Sequence, residues 1–134
     1  MGKIVKPTGN DKKKILIVDD DETHLFICET ALGKKYAVIT AKSGKEALEL
    51  FYNGLVPNLI LLDIIMPDMD GWDAFRRLKA ISVLHNVPVA FFTSSGNAGD
   101  RNHAVEMGAV DYIKKPIDAD DLLNRIEKIW EKQQ

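Results

Sequence analysis

"ILIVDDDETH", residues 15–24, is the stretch whose reading decides the fold. Four large apolar residues run without interruption into Asp19, Asp20 and Asp21. An unbroken apolar run of this length marks a strand buried on both faces, as in a parallel sheet covered by helices. Adjacent carboxylates repel one another, so their gathering at the end of such a strand calls for a chemical reason.

Further apolar runs follow: "AVITA" (37–41), "NLILLD" (58–63), "VPVAFFT" (87–93) and "DYIKK" (111–115), the last being the weakest. Helical patterns lie between them. Residues 22–33 carry Leu25, Phe26, Cys28 and Leu32, and residues 43–54 open on Ser43, a good N-cap, before Ala47, Leu48 and Phe51. Residues 72–80 carry Phe75 and Leu78, whereas 98–107 offer few large apolar groups and predict a weakly anchored helix. The final pattern is the clearest, with Leu122, Leu123, Ile126, Ile129 and Trp130 on one stripe. Strand and helix alternate throughout. This predicts an α/β fold: a five-stranded parallel sheet, doubly wound, with helices on both faces and right-handed crossovers.

The 134 residues suit one domain, and 46% hydrophobic composition supplies a core. A net charge of −2 gives no reason to expect direct nucleic-acid binding. The single cysteine, Cys28, excludes an internal disulfide framework, fits a reducing compartment and is expected in the core. No stretch approaches the roughly 18 apolar residues of a membrane span, so a cytoplasmic location is expected. "MGKIVKPTGNDKK" (1–13) reads as a flexible basic tail, and residues 14–134 as the domain.

Polar residues close the strands: Asp19 and Asp20 the first, Asp63 the third, Thr93 the fourth and Lys115 the fifth. In open α/β sheets ligands bind beyond the carboxyl ends of the strands, at the topological switch point. With strand order 2-1-3-4-5, Asp19, Asp20 and Asp63 share one crevice, flanked by Thr93 and Lys115. An all-oxygen cluster favours Mg²⁺ or Mn²⁺. Metal, carboxylate nucleophile, lysine and hydroxyl are the parts needed for phosphoryl transfer to an acyl oxygen.

From residue 14 onward the chain resembles the response-regulator receiver domain of two-component signalling, a flavodoxin-like fold of the chemotaxis-regulator type. The matching motifs are "ILIVDDDE", "LILLDIIMPDMDG" (59–71), "FFTSS" (91–95) and "GAVDYIKKPI" (108–117). The resemblance implies that Asp19 and Asp20 hold the metal and that Asp63 accepts phosphate. It implies that the Ile65 carbonyl completes the metal site, with Thr93 and Lys115 as the conserved-role hydroxyl and lysine. It also implies a switch pairing Thr93 with Tyr112, and Ile65 and Ser95 as the residues that tune phosphoryl lifetime. The family's usual cis bond before Pro116 stands against the general preference of X–Pro bonds for trans, and the sequence does not choose between them. The implied partners are a sensor histidine kinase or phosphotransfer protein and an output partner of unknown identity. A homodimer through helix 4, strand 5 and helix 5 is a further expectation. No enzyme activity is implied beyond self-phosphotransfer and autodephosphorylation.

Other polar residues have simpler readings. Asp21 is expected to cap the first helix, Asp68 and Asp70 to serve the turn before Gly71, and Lys114 to be solvated. Tyr112 could be plain packing, and Trp72 and Trp130 read as core or interface aromatics. His24, His85 and His103 lack metal-ligand spacing, and none reads as a phosphodonor. "PIDADD" (116–121) opens the last helix and the chain ends at Gln134, without room for an output module, which fits either a stand-alone receiver or a piece of a longer regulator.

Two alternatives stand beside this reading. "Asp19-x-Asp21-x-Thr23" also resembles the first motif of haloacid-dehalogenase-like phosphatases, with Asp19 as nucleophile and Asp21 as acid, but that leaves Asp63 and "MPDMDG" without a role. A pseudo-receiver would keep the fold as an interaction module without the chemistry.

Overall fold

The computed structural model describes residues 12–82 and 86–133. Its elements are β1 (Lys14–Val18), α1 (Glu22–Leu32), β2 (Ala37–Ala41), α2 (Gly44–Tyr52) and β3 (Leu59–Leu62). They continue with α3 (Gly71–Ser82), β4 (Val89–Thr93), α4 (Ala98–Met107), β5 (Asp111–Lys114) and α5 (Ala119–Lys132). All strand pairs are parallel, in the order β2-β1-β3-β4-β5.

The unbroken apolar runs are explained by what covers the sheet. Leu16, Val18, Ile60, Leu62 and Phe91 face one way, into a core completed by α2, α3 and Ala104 of α4. Ile15, Ile17, Leu59, Leu61, Phe92 and Ile113 face the other way, against α1 and α5. Alternate side chains thus enter two separate cores, and every position of β1, β3 and β4 after Lys14 is buried. The edge strands β2 and β5 are less covered.

On α1 the inward positions are Leu25, Cys28 and Leu32, spaced for one helix face. Phe26 lies about 100° round the helix from Leu25 and is 69% exposed, so it is no part of the buried stripe. The terminus of α1 is set by Asp21, whose carboxylate accepts from the N–H groups of Thr23 and His24. Ser43 caps α2 in the same way, through the Glu46 N–H. Helix α4 is anchored lightly, with Ala104 its buried residue, and ends on Gly108 at φ 94°, which favours glycine.

Of the expected tail, residues 1–11 lie outside the described residues, as does His85. Lys12 and Lys13 are attached to the domain. The Lys12 ammonium donates to the Gly33 carbonyl, the Lys13 carbonyl accepts from Ala37, and the Lys13 ammonium lies over the Trp130 ring.

Candidate functional site

The strands deliver Asp19, Asp63 and Thr93 to one end of the sheet because each follows or ends a strand paired in parallel register with its neighbour. All three are buried, with Thr93 inaccessible, whereas Asp20 is exposed. One carboxylate oxygen from each of Asp19, Asp20 and Asp63 lies within 4.8 Å of the others.

Lys115 reaches this crevice from just beyond β5. Its ammonium lies 2.5 Å from Asp19 Oδ2 and 3.1 Å from Asp63 Oδ2, so a positive charge already stands between two of the carboxylates. The Lys115–Pro116 peptide is cis. Burial disfavours charge on both partners, yet the contact wins. Against that burial, hydrogen bonds from His24, Lys115 and the Asp21 N–H hold the Asp19 carboxyl below its ordinary value. The Lys115 ammonium, likewise disfavoured by burial, is raised by its bond to Asp19 and the charge of Asp63.

The loop after β3 is drawn tight around the acceptor position. The Ile65 N–H donates to Asp63 Oδ1 at 3.2 Å, and the Gly71 N–H donates to the Ile64 carbonyl at 2.8 Å. A Cβ at residue 71 would fall 2.3 Å from the Asp63 carbonyl oxygen, so only glycine permits this approach. Asp68 turns the loop at φ 68°, and Asp70 accepts from the Asp73 N–H at the start of α3. The Ile65 side chain, two residues beyond Asp63, is 60% exposed.

Thr93 Oγ1 accepts from the Ser95 N–H at 3.2 Å. The Ser95 hydroxyl does not face the crevice as a free group; it donates to Asp100 in the first turn of α4. Tyr112 is buried, and its hydroxyl donates to the Ser95 carbonyl at 2.5 Å. The Arg101 guanidinium lies 5.1 Å from the centre of the Tyr112 ring. Thr93, Ser95 and Tyr112 are therefore physically connected, and the connection continues into α4.

Asp21 caps α1 and is not one of the clustered carboxylates Asp19, Asp20 and Asp63. Lys114 is exposed, with its ammonium laid across Gly96. Trp72 packs on Phe91 and His103, and Trp130 donates its indole N–H to the Tyr36 hydroxyl.

One site residue escaped the sequence reading. His24 Nδ1 lies 2.6 Å from Asp19 Oδ2. Reading histidines by metal-ligand spacing passed over it. Its position on α1, four residues before the inward Cys28, carried the signal that it faces the strand ends.

The sequence model described as "Response regulator receiver domain" matches residues 15–127. The chain is 39% identical over 119 residues to "Probable transcriptional regulator ycf27" of Guillardia theta, covering 88% of this chain and 45% of that protein. It is 38% identical over 117 residues to "Response regulator PleD" of Caulobacter vibrioides, covering 87% and 26% respectively. The chain thus spans less than half the length of these relatives. The non-phosphorylated HemR receiver domain from Leptospira biflexa superposes with a TM-score of 0.78 at 32% identity, over 88% of this chain and 94% of that one.

Proposed function

The chain belongs to the response regulator receiver domain family, and on that premise we propose that it is a switch thrown by phosphorylation of Asp63. The observation that carries this reading is the Lys115 ammonium held between Asp19 and Asp63. A buried carboxylate beside a cation can act as a nucleophile and have the incoming charge neutralised at once.

The donor set fits a small hard divalent ion. It consists of oxygen alone, two of its three carboxylates are buried, and the exposed Asp20 leaves one side open to water and substrate oxygens. Asp19, Asp20, Asp63 and the Ile65 carbonyl would hold Mg²⁺ or Mn²⁺. When bound, such an ion supplies positive charge to the phosphoryl oxygens during transfer.

The chain's own residues do the rest. A carboxylate oxygen of Asp63 attacks the phosphorus of a phosphohistidine on a sensor kinase or phosphotransfer protein. The P–N bond breaks and its electron pair returns to the imidazole nitrogen. Lys115 pairs with one new phosphoryl oxygen, and the Thr93 hydroxyl donates to another. Movement of Thr93 pulls on Ser95 and Tyr112, and so alters the surface formed by α4, β5 and α5, where an output partner or a second copy of the chain would bind.

Acetyl phosphate with Mg²⁺ tests the assignment. The parent chain should gain one phosphoryl group by mass spectrometry, and Asp63→Asn should gain none. Modification that persists in Asp63→Asn would overturn it.

A further inference from the structure

Asp19 is surrounded by donors. Its Oδ1 accepts the Asp21 N–H at 2.9 Å, and its Oδ2 accepts both Lys115 at 2.5 Å and His24 Nδ1 at 2.6 Å. A carboxylate only accepts, so Nδ1 carries the proton of that bond. The imidazole is itself confined. Its ring meets Phe92 edge-on with centroids 5.0 Å apart, and Cys28 Sγ lies 3.7 Å from Nε2.

Building on the reading of Asp19 as a metal ligand, we propose that His24 is a positioning residue that raises the divalent-cation affinity of the site by holding Asp19. The Lys115 ammonium bridges Asp19 and Asp63, two of the three carboxylates that would hold a divalent ion. Two cations this close repel strongly in a buried crevice, so the lysine must leave Asp19 when the ion enters. In the ion-free state Asp19 is held by Lys115, by His24 and by the Asp21 N–H. In the ion-bound state only the last two remain. His24 therefore contributes more to the bound state than to the free one, and only such a difference shifts a binding equilibrium. Partners that orient a ligand in this way change metal affinity by about 10- to 100-fold.

The test compares the full chain with His24→Leu and His24→Asn. Mn²⁺ binding is followed by the electron paramagnetic resonance of the free ion, and Mg²⁺ binding by competition. His24→Leu should bind both ions about tenfold more weakly, with its urea midpoint as a check on folding. His24→Asn should stay near the parent, because its side-chain N–H branches from the same atom as Nδ1 and can make the same bond. Parental affinity in His24→Leu would overturn the proposal. So would equal weakness in both variants, which would make the imidazole a ligand rather than a support. A parent that binds neither ion would defeat the metal-site reading and this proposal with it, whereas a binding parent with an indifferent His24→Leu defeats this proposal alone.

Discussion

The Tyr112 hydroxyl donates to the Ser95 carbonyl across 2.5 Å. This bond ties the partly covered edge strand β5 to the loop that follows Thr93. Both residues are held at their other ends, Tyr112 by burial and Ser95 by Asp100. Tyr112→Phe keeps the ring and removes the bond. It should cost about 1 kcal/mol in urea unfolding and speed amide exchange across residues 94–97. With beryllofluoride, protection in the parent should change within residues 93–117. A response confined to α2 would contradict a switch running through Tyr112.

Lys115 neutralises Asp19 and Asp63 where no divalent ion does so. Removing it in Lys115→Ala leaves buried carboxylates facing each other, and should destabilise the chain by about 3 kcal/mol. Saturating Mg²⁺ should restore a large part of that loss. The gain in Tm on adding Mg²⁺ should accordingly be greater in Lys115→Ala than in the parent. Equal gains would show that the ion and the lysine do not compete for one place.

The lifetime of the phosphorylated state is expected to depend on Ile65, whose exposed side chain stands two residues beyond Asp63 and is expected to flank the path by which water approaches the phosphoryl group. An aliphatic side chain crowds that path and cannot orient the water. Ile65→Asn under saturating Mg²⁺ should dephosphorylate several-fold faster, since tenfold in rate is only about 1.4 kcal/mol of barrier. Ser95 is the less clean probe. Because its hydroxyl is engaged by Asp100, Ser95→Glu would set two carboxylates against each other at the start of α4. A rate unchanged in Ile65→Asn would refute the shielding argument.

Asp111 and Arg125 form a two-pronged ion pair between β5 and α5. Burial works against the Asp111 carboxylate, but the Arg125 contact outweighs it and holds the carboxyl below its ordinary value. A depressed folded-state value means that the stabilisation is complete above the unfolded pKa, about 3.9. It fades as pH falls through the lower folded value. Asp111 is a quarter exposed and Arg125 a little over a third, so solvent screening leaves about 1 kcal/mol at most near neutrality. A double-mutant cycle with Asp111→Asn and Arg125→Met should give that coupling at pH 7, and less of it as the pH is lowered below about 3.9.

Cys28 is buried among Leu25, Leu32 and the underside of the sheet, and burial pushes its thiol up to about 11. Iodoacetamide at pH 8 should therefore modify the native chain far more slowly than the urea-unfolded chain. Rapid native alkylation would show that α1 opens readily.

The two-faced burial of the sheet was legible in the sequence because it follows from local pattern, whereas the strand order 2-1-3-4-5 belongs to the doubly wound arrangement as a whole and is written in no single run. Continuous runs such as 15–18 and 59–62 can satisfy both faces only inside a covered parallel sheet. The gathering of Asp19, Asp63 and Thr93 followed from the same logic, since strand ends in parallel register must coincide. Asp21 and Ser43 as helix caps were equally local. Other features were decided by tertiary packing. Ser95 is bound to Asp100 and Tyr112 to Ser95 because α4 settles at one particular height against β5, which no periodicity encodes. The Asp19 carboxylate is shared between Lys115, 96 residues away in the chain, and His24, five residues away. Sequence spacing brings acids and bases to the same end of a sheet. Which donor takes which oxygen is settled by buried distances of 2.5–3.1 Å, where removal from water makes each unmet polar atom costly.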